Sequence, residues 1–290
     1  MTLQGPVLVG TDLSDRSDEA LRQGAELARY FDSPLIVCHV MPELIPDGSF
    51  FTEFRRANLQ IEESVLARAR AAVQAQLDRV LEFAGSPPDI VLESGTPRAR
   101  LIANAEATHA GLVVTGPGWA AAEVARHVPS ASLIARKSPR GPVVAATDFS
   151  EASQAAIEVA VAEARRRGSP LHLLHAFDVG LFSLGEAPDA AMPYLAGRSP
   201  IALEGLDELR VIAKQRLDDA LREAGVDGQT DVISGTATEG IVRQAETVRA
   251  ELVVLGTHGR TGFDRLTLGS VAAGVIDSAP CSVLVVRASR

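Results

Sequence analysis

The feature that most constrains the fold of this chain is an internal repeat. "VLVGTDLS" (Val7–Ser14) recurs as "VVAATDFS" (Val143–Ser150). In the same order, "SGTPRARLIANAEATHAGLVVTG" (Ser94–Gly116) recurs as "SGTATEGIVRQAETVRAELVVLG" (Ser234–Gly256). Self-similarity over such long stretches means that one structural unit is present twice, so each half must be explained by the same fold.

The boundary between the two copies lies at "KSPRGP" (Lys137–Pro142), a basic stretch rich in Pro and Gly that is typical of a short linker. The chain has 290 residues, which suffices for two domains of ordinary size. We therefore predict a first repeat at residues 1–138 and a second repeat at residues 139–290.

Each repeat alternates short apolar runs with helical patterns. In the first repeat, the apolar run "PVLVGT" predicts a strand, the segment "SDEALRQGAELARYF" predicts a helix, and "PLIVCHV" predicts the next strand. In the second repeat, we predict helices from Ser150 to about Arg167 and from about Leu206 to Ala224. Strands separated by helices pair in parallel through right-handed crossovers. Continuous apolar runs indicate strands that are covered on both faces. The fold class predicted is α/β, with two tandem open twisted parallel sheets of about five strands each.

Composition excludes several classes of partner. No 18-residue apolar run offers a membrane span. The net charge of -9 argues against nucleic acid or an anionic membrane surface as the main partner. The opening "MTLQGPVLVGTDLS" lacks a basic segment followed by an apolar one, as a signal peptide would have, so we expect a cytoplasmic protein.

Cys38 and Cys281 lie in strand-like runs and are expected to be buried thiols, with a disulfide or a redox pair as the alternative.

The segment "GTHGRTGFDRLTLGS" (Gly256–Ser270) carries the strongest functional signal. Gly256 lies where a strand ends, and ligands of open parallel sheets bind outside the carboxyl ends of strands. Gly269-Ser270 leads into the apolar stretch "VAAGVI", which predicts a helix N-terminus and hence an anion site. Ser270 would either donate to a phosphate or cap the helix. No Lys precedes Ser270, so this is not a Walker A loop; a Gly-rich loop before an ordinary Ser cap is the alternative.

These residues resemble a known family. The spacing Gly256-x2-Gly259-x9-Gly269-Ser270, together with "TDFS", "LLHA" and "PCSVLVVR", is similar to the universal stress protein family, here in tandem form. The resemblance implies an adenine nucleotide alpha hydrolase-like, Rossmann-like fold and an ATP site, with Mg²⁺ on the phosphates. It implies a stress-response or regulatory protein rather than a fast enzyme. It also implies a homodimer, because the family pairs last strands; within this chain "SLIAR" and "SVLVV" could pair in that way.

The resemblance also assigns individual contacts in the second repeat. Asp148, after Thr147, would meet the ribose or adenine, and a carboxylate at a strand end suits ribose hydroxyls; a helix cap is its alternative role. The backbone of Ala176 would meet the adenine edge. Arg260 would neutralise phosphate charge or else be a solvated side chain. The residues expected around the phosphates are Gly256, Thr257, His258, Gly259, Arg260, Gly269, Ser270 and Val271.

The first repeat keeps only the nucleoside half of this pattern. Thr11-Asp12 and His39 are retained, but Trp119 stands where Gly259 is expected, and roughly ten residues are missing after Gly116. Glu123 would repel a phosphate. We therefore predict one ATP per chain, bound by the second repeat. "TGPGWAA" matches a dinucleotide fingerprint, but it follows a fourth strand instead of a first.

Two other functions remain open at this point. One is a slow ATP hydrolase, in which Asp264 or His258 would orient water; the other is a nucleotide-free scaffold that acts through protein partners.

A zinc site is disfavoured, because His172 and His175 are three residues apart on a strand and face opposite sides. The long Pro- and Gly-rich segment from Phe177 to Gly205 is interpreted as a loop, with a lid over the nucleotide as one role.

Overall fold

The computed structural model describes residues 3–42, 52–81, 87–118, 121–177, 201–257 and 268–287. The chain divides into two compact units. The first comprises Met1–Lys137 with Leu266–Leu268 and Ser282–Arg287, and the second comprises Ser138–Arg265, Gly269–Cys281 and Ala288–Arg290. The C-terminal strand, which the sequence assigns to the second repeat, thus groups with the first unit.

The first unit is a parallel sheet with helices. Its strands are β1 (Val7–Thr11), β2 (Leu35–Met41), β3 (Asp89–Ser94), β4 (Leu112–Thr115) and β5 (Ala131–Ile134). They lie in the order β3-β2-β1-β4-β5, and all these neighbours are parallel. The helices are α1 (Asp15–Tyr30), α2 (Thr52–Val80), α3 (Pro97–Ala107) and α4 (Ala121–His127).

The second unit repeats this plan. Its strands are β6 (Val143–Ala146), β7 (Leu171–Phe177), β8 (Gly228–Ser234) and β9 (Leu252–Gly256). They lie in the order β9-β6-β7-β8, again all parallel. The helices are α5 (Glu151–Arg167), α6 (Ile201–Ala224), α7 (Ala237–Thr247) and α8 (Ser270–Ser278). The α/β class and the parallel sheets predicted from the sequence are confirmed.

The last strand of the chain, β10 (Ser282–Val286), completes the first unit. It runs antiparallel to β5, with Val283 opposite Ile134. The Ser282 hydroxyl donates to the carbonyl of Arg136 and accepts from the backbone N–H of Arg136, each at 3.0 Å. The predicted pairing of "SLIAR" with "SVLVV" is therefore made inside one chain.

Both faces of the sheet are covered, as alternation along β1 demonstrates. Val9 faces α1, because a Cβ added at Gly24 of that helix would lie 2.4 Å from Val9 Cγ2. Leu8, the next residue, belongs instead to a buried cluster with Leu101 and Val124 of α3 and α4. Since successive strand residues point to opposite faces, the strand has helices on both sides and needs apolar residues at consecutive positions.

Helix ends follow local chemistry. The Ser150 side chain caps α5 by accepting from the Ser153 N–H at 3.3 Å, and Gly168 ends the helix in the left-handed region at φ 64. The predicted loop from Phe177 to Gly205 is too long at both ends, because Phe177 belongs to β7 and α6 starts at Ile201. Gly205 suggested a loop, but a glycine inside a helix costs only about 1 kcal/mol. Residues 178–200 lie outside the described residues.

The structure also answers the questions of the two cysteines and of a membrane-spanning helix. Cys38 is a buried free thiol, and its burial, with a contribution from Glu93, raises the pKa of the thiol to about 12. Cys281 is buried as well, at 1 % exposure. Among the helices in the described part of the chain, none combines the length and the apolar character that crossing a bilayer requires.

Candidate nucleotide site

The second unit has a topological switch point between β6 and β9. From β6 the chain continues to β7 on one side, whereas β9 lies on the other side. Val143 is paired with Leu252 and Ala145 with Val254, so the two strands end at the same edge of the sheet. Loops diverge at such a point and leave a crevice, which is where ligands of this architecture bind.

One end of the glycine motif closes onto the other at this edge. The Gly269 N–H donates to the carbonyl of Thr257 at 2.7 Å, so the chain that leaves β9 returns to its end. Thr257 is buried, and Gly269 has an ordinary extended conformation (φ -63, ψ 154) as the N-cap of α8. The predicted helix N-terminus is therefore confirmed. His258, Gly259, Arg260 and Asp264 lie outside the described residues.

Ser270 is the first residue of α8, not its cap. It is exposed, whereas Val271 beside it is half-buried. No side-chain hydrogen bond caps this helix, because the N-cap position is occupied by Gly269. The alternative role of Ser270 as a helix cap is wrong, and its hydroxyl stands in the first turn, among N–H groups that lack intrahelical partners.

The other half of the site is a tight turn after β6. Asp148 Oδ1 accepts from the Ser150 N–H at 3.1 Å and from the Ser150 hydroxyl at 2.6 Å. Thr147 Oγ1 accepts from the Phe149 N–H at 2.9 Å and shares a 2.8 Å hydrogen bond with Ser153 Oγ. Phe149 takes the left-handed conformation at φ 63. Asp148 thus holds the turn through Ser150, but the residue that caps α5 is Ser150, so the alternative role of Asp148 as a helix cap is wrong. The Thr147 hydroxyl is engaged within the protein.

The second strand of the unit brings Ala176 and a histidine to the same edge. Ala176 lies in β7 opposite Ile233 of β8. His175 Nδ1 lies 2.7 Å from the carbonyl of Thr147, and its counterpart His39 lies 2.9 Å from the carbonyl of Thr11. The same contact between this histidine and the end of the first strand is therefore present in both repeats. His172 points elsewhere, with Nε2 at 3.0 Å from Asp231 Oδ2.

The structure places two residues beside His175 to which the sequence assigned no role, Phe149 and Arg216. The Phe149 ring lies 4.7 Å from the His175 ring, centroid to centroid, and the Arg216 guanidinium of α6 lies 4.4 Å from the Phe149 centroid. The sequence signal for Phe149 was its place in "TDFS" after Asp148. The sequence around Arg216 contains no motif that indicates a binding residue. The buried residues Leu77 and Leu217 occupy equivalent positions in the two repeats, so Arg216 is equivalent to Gln76 of the first repeat.

The first unit forms the same turn with different surroundings. Asp12 Oδ1 accepts from the N–H and hydroxyl of Ser14 at 3.0 and 2.6 Å, and Leu13 has φ 65. Desolvation disfavours the charged carboxylate, but hydrogen bonds from Ser14 and Ser17 outweigh it, so the pKa of Asp12 is lowered. Because both repeats share this strained turn, it belongs to the fold and not to one ligand site.

Gln76 turns inward in the first unit. It accepts from Thr11 Oγ1 at 2.7 Å and donates to Asp18 Oδ1 at 2.8 Å. Arg79 also binds Asp18, at 2.5 and 3.0 Å. Burial disfavours the Asp18 carboxylate, yet the hydrogen bonds from Arg79 and Gln76 lower its pKa. Side chains of the protein thus satisfy the polar groups beneath the turn.

The phosphate side of the first unit is reduced. α4 has seven residues, against nine in α8. Glu123 in its first turn is paired with Arg98 at 3.3 Å, which offsets part of the repulsion expected from its charge. Gly116 is close to backbone, since a Cβ there would lie 2.9 Å from the Arg16 carbonyl oxygen. Trp119 lies outside the described residues.

Comparison with known proteins decides the family. The sequence model of the universal stress protein family matches twice, at residues 5–118 and 139–287. The chain belongs to the universal stress protein family. A universal stress protein from Mycolicibacterium smegmatis is 28% identical over 97% of this chain and 96% of its own length. One from Methanocaldococcus jannaschii is 33% identical over 50% of this chain and 81% of its own.

Solved structures support the same architecture for this universal stress protein. The crystal structure of a universal stress protein from Archaeoglobus fulgidus covers 98% of this chain and 97% of its own, with a TM-score of 0.59. Its sequence identity is 18%, so the likeness concerns the fold alone. The double family match and the full-length relative establish the tandem type.

Proposed function

We propose that this universal stress protein binds ATP in its second repeat, and that binding acts as a regulatory switch or a stabiliser of the protein. The observation that carries the proposal is the Gly269 N–H to Thr257 carbonyl bond of 2.7 Å. It brings both ends of the glycine motif to the end of β9, beside the turn that holds Asp148. The spacing of that motif resembles the family's ATP-binding motif.

The residues at this edge fit a triphosphate. The first turn of α8 offers backbone N–H groups and the positive end of a helix dipole, which favour anions. Exposed Ser270 adds a hydroxyl donor in that turn. Mg²⁺ would accompany the nucleotide on its phosphate oxygens, since this ion is commonly held by substrate phosphates and few protein ligands.

The nucleoside would lie toward β6 and β7. Asp148 carries a carboxylate at the end of β6, where it can accept from ribose hydroxyls. One of its oxygens already forms the turn with Ser150, which fixes the carboxylate in place. The backbone of Ala176 at the end of β7 is the proposed contact for the adenine edge. Thr147 contributes by holding the turn.

The oligomer would need a different surface from the one the resemblance implies. The last strands of the two repeats, β5 and β10, are already paired within one chain. A homodimer of this protein, which we also propose, would therefore form through another face.

The test uses the purified full-length protein. It is denatured with acid, the released small molecules are separated by chromatography, and the nucleotide-free protein is then titrated with MgATP by calorimetry. Release of ATP, or saturable binding of ATP by the emptied protein, supports the proposal. Release of ADP alone, with ATP consumed on incubation, would favour the slow hydrolase. No nucleotide and no heat of binding would favour the scaffold and contradict the proposal.

A further inference from the structure

Phe149, His175 and Arg216 form a stack at the edge where the proposed nucleoside contacts lie; we call it the Phe149 stack. The Arg216 guanidinium lies 4.4 Å from the centroid of the Phe149 ring, and that ring lies 4.7 Å from the His175 ring. Both distances are those of favourable cation–π and ring contacts. Arg216 is exposed, and the two rings are half-buried.

The position of the stack is fixed by backbone contacts. Phe149 directly follows Asp148, in a turn held by the Thr147 and Asp148 side chains. His175 directly precedes Ala176 and is tied to the Thr147 carbonyl at 2.7 Å. Each ring is therefore adjacent in sequence to a residue that we assign to the nucleoside, and the arginine brings a planar cation to the same place.

The first repeat lacks this stack although it has the same turn. Leu13 replaces Phe149 at nearly the same φ, 65 against 63. Gln76 aligns with Arg216, but it is buried and bonds to Thr11, Ser17 and Asp18. The fold therefore does not require an aromatic ring or a cation at these positions. The repeat that keeps the glycine motif is the one that carries them.

We infer that Phe149 and Arg216 select the nucleobase of the bound nucleotide, an inference that rests on the proposed function. The Arg216 guanidinium is exposed and is backed by the Phe149 ring, so its plane offers a stacking surface to a base, and larger purine rings stack more strongly than pyrimidines. The ligand class is therefore a purine nucleoside triphosphate. The two residues act on the base and contribute little to binding of the phosphates.

The test replaces each residue by its counterpart in the first repeat. Arg216→Gln and Phe149→Leu are compared with the wild-type chain for binding of ATP, CTP and inorganic triphosphate, each with Mg²⁺. Arg210→Gln is the matched control, because it removes the same charge from an exposed position of the same helix. Phe149→Tyr keeps an aromatic ring and should restore the preference that Phe149→Leu loses.

We expect both variants to bind ATP about tenfold more weakly while inorganic triphosphate binding stays within about twofold of wild type. The preference for ATP over CTP should fall with ATP affinity, and Arg210→Gln should behave as wild type. Equal losses for ATP and triphosphate would place Arg216 on the phosphates and overturn the inference. Unchanged ATP affinity would overturn it as well, without affecting the proposed function. A wild-type chain that binds no nucleotide would overturn both.

Discussion

Gly269→Glu puts a carboxylate at the N-terminus of α8, where the phosphates are proposed to lie. The fold should tolerate the change, because Gly269 has φ -63 and ψ 154, a conformation open to any L-residue. Its bond to Thr257 uses the backbone N–H and is independent of the side chain. An acidic group at a helix N-terminus is also favourable for the helix itself. Loss of binding would thus not come from unfolding.

The expected effect follows from Coulomb's law. A carboxylate about 5 Å from a phosphate oxygen repels it by about 1 kcal/mol in bulk water, and by about 3 kcal/mol at the effective dielectric near a protein surface. We therefore expect ATP to bind at least about tenfold more weakly, which corresponds to about 1.4 kcal/mol. Inorganic triphosphate should lose as much affinity as ATP, because the repulsion acts on the phosphates.

The assay is calorimetric titration with MgATP and with inorganic triphosphate. Gly269→Ala controls for loss of the glycine alone and should bind ATP nearly as well as wild type. Ser278→Glu adds the same charge to the other end of α8, about 12 Å away along the helix axis, where salt screens most of the repulsion. Unchanged affinity of Gly269→Glu, or equal losses in Ser278→Glu, would refute the assignment of the phosphates to this helix.

Three further predictions concern other parts of the chain. Asp148→Ala should weaken ATP binding about tenfold but leave the affinity for inorganic triphosphate unchanged. Asp12→Ala, which removes the same turn from the first repeat, should leave the affinity for both ligands unchanged. Equal losses for both ligands in Asp148→Ala would show the carboxylate to be misassigned. Burial opposes ionisation of Glu163, but Arg166 and Arg167 outweigh it and lower its pKa below the unfolded value of 4.5. The stabilisation that ionised Glu163 provides is therefore complete above about pH 5 and is lost as the pH falls through the folded pKa. Glu163→Gln should lower the unfolding free energy by about 3 kcal/mol at pH 7. In urea unfolding, this variant should also lose less stability than wild type as the pH is lowered, and an equal loss would contradict the assignment. Gly24→Ala would place a Cβ 2.4 Å from Val9 Cγ2. The overpacking costs about 1–3 kcal/mol and the gain in helix propensity returns about 1 kcal/mol, so we expect a net loss of about 1 kcal/mol of unfolding free energy. A thermal midpoint equal to or above that of wild type would show that the packing relaxes freely.

Periodicity and repetition were enough to predict the architecture, because alternating strands and helices permit few parallel topologies. They also placed the start of α8, since Gly269-Ser270 before an apolar-periodic stretch is a strong local signal. The start of α6 was placed too late, because Gly205 resembles a loop residue and only the packed helix overrides its weak propensity. Local sequence patterns therefore predict whether a helix or strand is present more accurately than they predict the residues at which it begins and ends.

The site was only partly predictable. Asp148 and Gly256 follow or end two neighbouring parallel strands, β6 and β9, as the repeat pattern implied. The Gly269 N–H bonds to Thr257, the residue after Gly256. The role of Arg216 was not, because its contact with Phe149 joins residues far apart in sequence. Aligned Gln76 makes a different, buried set of bonds. Gln76 turns toward Asp18, and the second repeat has Gln154 at the position of Asp18. These partners lie in another helix, so the sequence of α6 alone does not reveal the direction of Arg216.

The stoichiometry of ATP per chain distinguishes one binding repeat from two or none. Nucleotide-free full-length protein is dialysed to equilibrium against radiolabelled MgATP at saturating concentrations, and bound label is divided by protein concentration from amino-acid analysis. We expect a value of about one, because only the second repeat combines the Asp148 turn with the closed glycine motif and the first turn of α8. A value near two would mean that the first repeat binds through its shorter helix α4 and the Asp12 turn. A value near zero would contradict nucleotide binding altogether.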